Sequence, residues 1–236
     1  MNDSTYESQL AVFIAANTVG RPEFSTYYRY PCLNDDTINT NFDTHYTYHV
    51  AWAIRKILVS PPVSHCDVSS SLGFCTAICA VVPTTFIDYR PAPIQLDQLT
   101  CKQGDLTNDS QWGDGQYESL SCMHVVEHIG MGRYGDQLDI HADTVAMRNL
   151  KRAVAANGRL LFVVPVGIPE VYFNAHRVYS ASWVANFFKP EFQLKEFYFI
   201  PGSSHLPPVL NCDLTYPDSF KYACGCFEFI KCESLV

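Results

Sequence analysis

Just after Met123 an apolar run gives way to side chains that can move protons and hold anions. They are His124, Glu127, His128, Arg133, Tyr134 and Asp136, spaced by Gly130, Gly132 and Gly135. A second polar group, Asn174, His176, Arg177 and Tyr179, comes after Gly167. Histidine titrates near neutrality and a carboxylate can orient or assist it, so Glu127, His128 and His176 are the candidates for general-base work. Arg133 and Arg177 can hold an anionic acceptor such as a carboxylate or phosphate. With Tyr134, Asp136 and Asn174 they form the candidate substrate contacts. The competing reading is structural: Arg133 or Arg177 clamps Asp136 or Glu127 and fixes the loops.

The letters His124-Val125-Val126-Glu127-His128 also spell H-x-x-E-H, an inverted zinc-protease motif. That chemistry needs one helix through all five residues, and the strand expected to end at His124 opposes it. His45 and His49 stand four apart on an expected helix, a spacing that can bind metal, although a surface or half-buried pair is the commoner outcome. The ten cysteines read as reduced, buried thiols acting as small hydrophobes. Cys224-Gly225-Cys226 lacks the two-residue gap of the usual zinc or redox pairs. The expected metal content is none.

Both polar groups must be positioned by the elements before them. Tyr117 to Met123 reads as a buried strand behind the turn Gly113-Asp114-Gly115. A helix is expected over Thr44 to Val59, capped by Asp43 or Thr44 and stopped by Pro61-Pro62. Then come a strand over Val63 to Ser69, the turn Ser69-Ser70-Ser71-Leu72-Gly73, a helix over Leu72 to Val82 with Ser71 as cap, and a strand Thr84 to Asp88. Leu99 to Leu106 is a third strand. After the fourth, Asp143 to Ala156 is helical with Val145, Leu150 and Val154 inward, and Asn157-Gly158 supplies its left-handed end. Arg159 to Pro165 is a fifth strand, Ser182 to Phe188 a helix, and Phe192 to Ile200 and Tyr222 to Cys232 a final antiparallel pair.

This order defines an α/β, Rossmann-like domain, in which neighbouring parallel strands end side by side and sites lie beyond their carboxyl ends. The two polar groups should therefore meet at one rim. Asp88 falls about 20 residues after the first turn, where a carboxylate receives two ribose hydroxyls; the alternative is a loop aspartate that caps the next few residues. Asp105 and Leu106 could meet an adenine amino group and its face, or simply make a turn. Residues 1–42 read as irregular, an arm with the aromatic run Tyr27-Tyr28-Arg29-Tyr30 that packs on the domain or covers a site, packing being the commoner outcome for aromatics. The expected division is 1–60, an N-terminal arm and helix, and 61–236, the α/β domain.

Composition narrows the partners. The 236 residues carry 16 basic and 24 acidic side chains, a net charge of −8, and the basic residues do not cluster as a phosphate backbone would demand. A nucleic-acid substrate is disfavoured, and a small molecule or glycan is the expected acceptor. No apolar run approaches the ~18 residues of a membrane span. The first ten residues hold no Lys or Arg, unlike a signal peptide, so the expected location is the cytoplasm.

Strand–helix alternation closed by two strands resembles the seven-stranded class I fold of S-adenosylmethionine-dependent methyltransferases, a mostly parallel sheet with an antiparallel edge strand. The strings EHxGxGRYGD from Glu127 and FNxHR from Phe173 are similar to those of an uncharacterised methyltransferase-like family, a domain of unknown function from nematode and bacterial chains; the likeness covers roughly 63–200. The resemblance implies S-adenosylmethionine as cofactor. Asp67, Ser69 and Gly73 would lie by its methionine part, Asp88 at the ribose, Asp105 and Leu106 at the adenine, and His124 near the sulfonium. The first turn departs from the family pattern. DVSSSLG replaces the glycine-rich sequence, and a Cβ makes close backbone approach harder. A binding module that keeps the fold without catalysis is therefore a second expectation.

Overall fold

A computed structural model describes residues 2–21, 23–203 and 205–233. By compactness the chain divides into residues 1–42 and 43–236.

The first unit holds a helix, α1 (Asp3–Gly20), where irregular chain is expected. Asn2 caps it by accepting from the Thr5 amide at 2.9 Å. Within this unit Asn17 donates to Tyr27 Oη at 2.6 Å, and Arg29 pairs with Glu7. The helix escapes sequence reading because its apolar residues form no single stripe, and Val12, Phe13 and Val19 stay exposed. Tyr28 and Tyr30 are exposed too, against the burial expected of the aromatic run.

The second unit begins with α2 (Thr44–Val59), so that helix belongs with the α/β body rather than with an arm ending at residue 60. Asp43 caps it, accepting from the Tyr46 amide at 2.8 Å. The strands are β1 (His65–Val68), β2 (Thr84–Asp88), β3 (Leu99–Gln103), β4 (Tyr117–Met123), β5 (Val154–Val166), β8 (Phe192–Pro201), β9 (Val209–Leu210) and β10 (Ala223–Lys231), with β6 (Glu170–Tyr172) and β7 (His176–Val178) apart in a hairpin. The main sheet has the order β3-β2-β1-β4-β5-β10-β8-β9. β3, β2, β1, β4 and β5 are parallel, and β10 runs antiparallel between β5 and β8. This is the expected sheet, extended at one edge by the two-residue β9.

Helices cover both faces. Side chains alternate along a strand, so β5 sends Leu160, Phe162 and Val164 to one face and Leu161 and Val163 to the other. The first face packs α4 (Ala142–Ala153) and α5 (Ala181–Phe188) through Met147, Leu150, Val184 and Phe188. The second packs α2 and α3 (Leu72–Cys79) through Trp52, Ile57, Phe74 and Ile78. Burial on both faces explains why these strands read as unbroken apolar runs.

Two local expectations need correction. α4 turns its Ala146, Met147, Leu150 and Ala153 face inward, while Val145 is only half-buried. The helix also ends at Ala153, and the chain enters β5 directly. Asn157, at φ 61°, therefore lies inside a strand, where pairing with β4 shifts register, and is no helix cap. Among the described residues no helix is long and apolar enough to cross a membrane.

Phe188 is fully buried, with ring centroids 4.5 Å from Phe229 and 5.2 Å from Phe162. Phe188→Ala should lower the unfolding free energy by about 3–5 kcal/mol in urea titration. A loss under about 1 kcal/mol would show that this face of the sheet is not the closed core described.

Candidate active site

The carboxyl ends of β1, β2, β3 and β4 open onto a cavity of about 450 Å³. Ser69 lines it after β1, Asp88 at the end of β2, Asp105 and Leu106 after β3, and His124 after β4. All five are sequence candidates: Asp88, Asp105 and Leu106 from their places at strand ends, Ser69 and His124 from what the family resemblance implies. Each has local support. Ser69 has φ 54°, a left-handed conformation costly for a residue with a Cβ, and its hydroxyl bonds the Ile87 carbonyl at 3.2 Å. Asp88 is half-buried; its Oδ1 accepts from the Arg90 amide at 2.7 Å, and among the described residues no protein donor bonds Oδ2. Asp105 makes the turn, accepting from the Thr107 amide at 2.8 Å, and also lines the cavity. Trp112 Nε1 donates to the Asp105 carbonyl at 2.9 Å and holds that loop.

Two of the candidate residues for this pocket are elsewhere. Asp67 is completely buried under it. Its carboxylate accepts from the Ser121 hydroxyl and from the Ser70 amide at 3.1 Å. Ser121 in turn meets His65 Nε2 at 2.9 Å, so the chain ties β1 to β4 beneath the turn. Gly73 is exposed on α3, outside the cavity lining, with open space around it.

The two polar strings do meet. β6 and β7 pair as a hairpin whose tip is Phe173-Asn174-Ala175, with Asn174 at φ 61°. His128 Nδ1 donates to the Ala175 carbonyl at 2.5 Å, and Arg133 Nη1 donates to the same oxygen at 3.1 Å. Arg177 Nη1 donates to the carbonyls of Ile129 at 2.7 Å and Glu127 at 3.4 Å, while its Nε lies 3.6 Å from Asp143 Oδ2. Asn174 reaches the Met131 carbonyl at 3.5 Å. Asp136 folds the glycine loop on itself, accepting from Gly130, Gly132 and Tyr134 amides at 2.7, 3.3 and 3.1 Å. Burial pushes its pKa up, but these amides overcome that and hold it below the ordinary carboxylate value.

Of the polar strings only His124, His128, Tyr134 and Asp136, with Gly130, line the cavity; Glu127, Arg133, Asn174, His176 and Arg177 do not. Arg177 and Asn174 are occupied in joining hairpin to loop. His176 lies between the Tyr172 and Tyr222 rings, each 5.0 Å away, and burial lowers its pKa. His128 is different. With Nδ1 bonded to a carbonyl, the neutral ring carries its lone pair on Nε2. Sequence reasoning misses Arg90, Gln137 and Asp139 in the lining. Arg90 stands two residues after Asp88 and lies over the Tyr134 ring at 4.6 Å, contacts no periodicity announces.

His124 is the hinge of the region. It has φ 55°, and β4 ends before it. Val126–His128 form only a 3-10 turn, so the continuous helix of the zinc-hydrolase reading does not exist. His124 Nδ1 meets the buried Glu127 Oε1 at 2.9 Å, and Nε2 lies 3.4 Å from Cys224 Sγ. Burial disfavours its charge, but Cys224 and Glu127 outweigh that and its pKa is pushed up to about 10. Burial and the nearby His124 push His45 down to about 4 and His49 to about 3.

A family described as "Caenorhabditis protein of unknown function, DUF268" matches residues 95–198, a span that holds both polar strings. No curated protein matches the sequence. Solved structures do. The N-methyltransferase NodS of Bradyrhizobium japonicum, in complex with S-adenosyl-L-homocysteine, is 16% identical over 84% of this chain and 93% of its own, with TM-score 0.58. The 1,6-didemethyltoxoflavin-N1-methyltransferase of Burkholderia thailandensis is 11% identical over 99% of this chain and 92% of its own, with TM-score 0.55. The [4+2]-cyclase SpnF is 9% identical over 78% and 81%, with TM-score 0.54. The chain thus has the class I S-adenosylmethionine-dependent methyltransferase fold, and at these identities the likeness concerns the fold alone.

Burial pushes Asp67 up to about 6, with the Asp88 charge adding to it and bonds from Ser121 and Ser70 opposing it. A carboxyl with a folded pKa above its unfolded value of ~3.9 favours the folded state below pH ~4 and loses that contribution as pH rises through its folded pKa. Unfolding free energies of wild type and Asp67→Asn, compared from about pH 4 to 7, should diverge on the order of 2–3 kcal/mol, with the wild type falling as pH rises. Parallel profiles would show that Asp67 does not titrate in this window.

Proposed function

We propose that this chain is an S-adenosylmethionine-dependent methyltransferase whose acceptor is a small molecule or glycan. The observation that carries the reading is the convergence of Ser69, Asp88, Asp105, Leu106 and His124 on one cavity at the strand ends. Ribose hydroxyls suit the unused oxygen of Asp88. Buried Leu106 offers an apolar face for adenine, and Asp105 a polar edge. The cofactor, when bound, supplies an electrophilic methyl group, so the chain need only position the acceptor and receive its proton.

His128 is the base this geometry favours. It lines the cavity, Ala175 sets its tautomer, and its Nε2 lies 3.8 Å from Glu127 Oε1, which can stabilise the imidazolium that forms. His176 does not line the cavity, so its candidacy rests on the hairpin moving. Tyr134, Arg133 and Arg90 provide the polar and cationic surface where an anionic acceptor could be held. Arg177 and Asn174 support the site by fixing the hairpin.

The second reading, a fold that binds without methyl transfer, draws on Ser69. A side chain at positive φ in the first turn narrows the backbone approach that a glycine would leave open. Calorimetry separates the two. Micromolar binding of S-adenosylmethionine and S-adenosylhomocysteine is expected, weakened about 10- to 100-fold by Asp88→Ala, the loss of one or two charge-assisted hydrogen bonds. No heat at millimolar cofactor would leave only the module.

A further inference from the structure

Behind the cavity wall His124 also belongs to a second group of side chains, whose other members do not line the cavity. α2 contributes His45 and His49, the end of β4 contributes His124, and β10 contributes Cys224 and Cys226. Ligand atoms of His45, His124 and Cys224 all lie within 4.8 Å of one another, and all three residues are buried. The His124 Nε2 to Cys224 Sγ separation is 3.4 Å. In a tetrahedral zinc site, with Zn–N about 2.0–2.1 Å and Zn–S about 2.3 Å, the N···S edge is about 3.5 Å.

The surroundings point the same way. His124 Nδ1 is held by Glu127 Oε1 at 2.9 Å, the arrangement in which a carboxylate orients a metal-binding imidazole and leaves Nε2 for the ion. His49 packs edge-on to His124, ring centroids 5.1 Å apart, and its Nε2 is buried with no hydrogen-bond partner. His49 Nδ1 donates to the His45 carbonyl at 2.7 Å, which braces the α2 turn that presents His45. One sulfur and two imidazole nitrogens suit a borderline-soft ion, and magnesium and calcium prefer oxygen.

We infer that His45, His124 and Cys224 form a binding site for a zinc-class divalent transition-metal ion, with Glu127 positioning His124 and the fourth coordination position open to an exogenous ligand. The site stands whether or not the neighbouring cavity takes an adenosyl group. It is distinct from the H-x-x-E-H pairing, because the ligand atoms that converge with His124 belong to His45 and Cys224 and not to His128. Cys226 Sγ, 3.8 Å from Cys224 Sγ, lies outside the three-ligand set. On binding, the Cys224 thiol proton and the His124 Nε2 proton leave to solvent, and a metal–sulfur and a metal–nitrogen bond replace them.

The test uses the full chain, stripped with chelator and reloaded with Co(II) or Zn(II) alone. One equivalent of Co(II) should bind with an intense near-ultraviolet thiolate-to-metal charge-transfer band. Cys224→Ala should abolish that band, Cys226→Ala should retain it, and Glu127→Gln should weaken zinc affinity about 10- to 100-fold. X-ray absorption at zinc on the unsubstituted chain, which needs no variant to fold, should give one sulfur and two imidazole ligands. Sub-stoichiometric metal after dialysis, or a zinc shell without sulfur, would overturn the site.

Discussion

Everything at this end of the molecule depends on how the chain leaves β4. Met123 is the last strand residue, and at His124 the backbone turns into the left-handed region at φ 55°. A non-glycine residue there is strained, and such strain persists only where surrounding bonds over-determine it. Here they do. The His124 amide still bonds the Val163 carbonyl at 2.8 Å, which keeps it registered to the sheet, while the imidazole is held by Glu127 on one nitrogen and faces Cys224 with the other. One residue is therefore shared by the cavity wall and the buried histidine–cysteine group.

The polar strings serve mainly to keep that turn in place. Gly130 shows the constraint. At φ 80° any Cβ would collide with the Asp139 carbonyl, so the loop can close on Asp136 only with glycine there. Arg177 then fastens the loop from the hairpin side and reaches Asp143 on α4, which also accepts from the Tyr179 hydroxyl at 2.9 Å. A half-buried arginine meeting two carbonyls and a carboxylate holds three elements together at once. The clamp and the catalytic candidates are interleaved: Arg177 and Asp136 hold the shape, and His128 and Tyr134 face the cavity.

Much of this is legible in the sequence, for a definite reason. The strands are located by apolar periodicity and their parallel arrangement is what the fold resemblance implies, and that arrangement puts Ser69, Asp88, Asp105 and His124 at the same end of the sheet. The meeting of the two strings has the same origin, since β5 lies beside β4. Side-chain direction at short range is not legible. Asp67 and Ser69 are two residues apart and look equally available, yet Asp67 points into the sheet and bonds Ser121. Gly73 falls just past the turn and rotates outward on α3. Arg177 reads as an anion binder, and only the hairpin shows that its donors are taken. The grouping of His45, His124 and Cys224 lies beyond sequence reading, because three elements distant in sequence supply it and the metal-like spacings nearby pair His45 with His49 and His124 with His128 instead. α1 escapes for the opposite reason: it has helix-forming residues and a cap but no stripe to mark it.

The most direct test is a crystal structure of the full chain grown with saturating S-adenosylhomocysteine. Density is expected in the cavity at the strand ends, with the Asp88 carboxylate within hydrogen-bonding distance of the ribose hydroxyls and the adenine against Leu106. An adenosyl group bound elsewhere on the molecule, or a cavity still without it at saturation, would contradict the assignment of this cavity as a cofactor site.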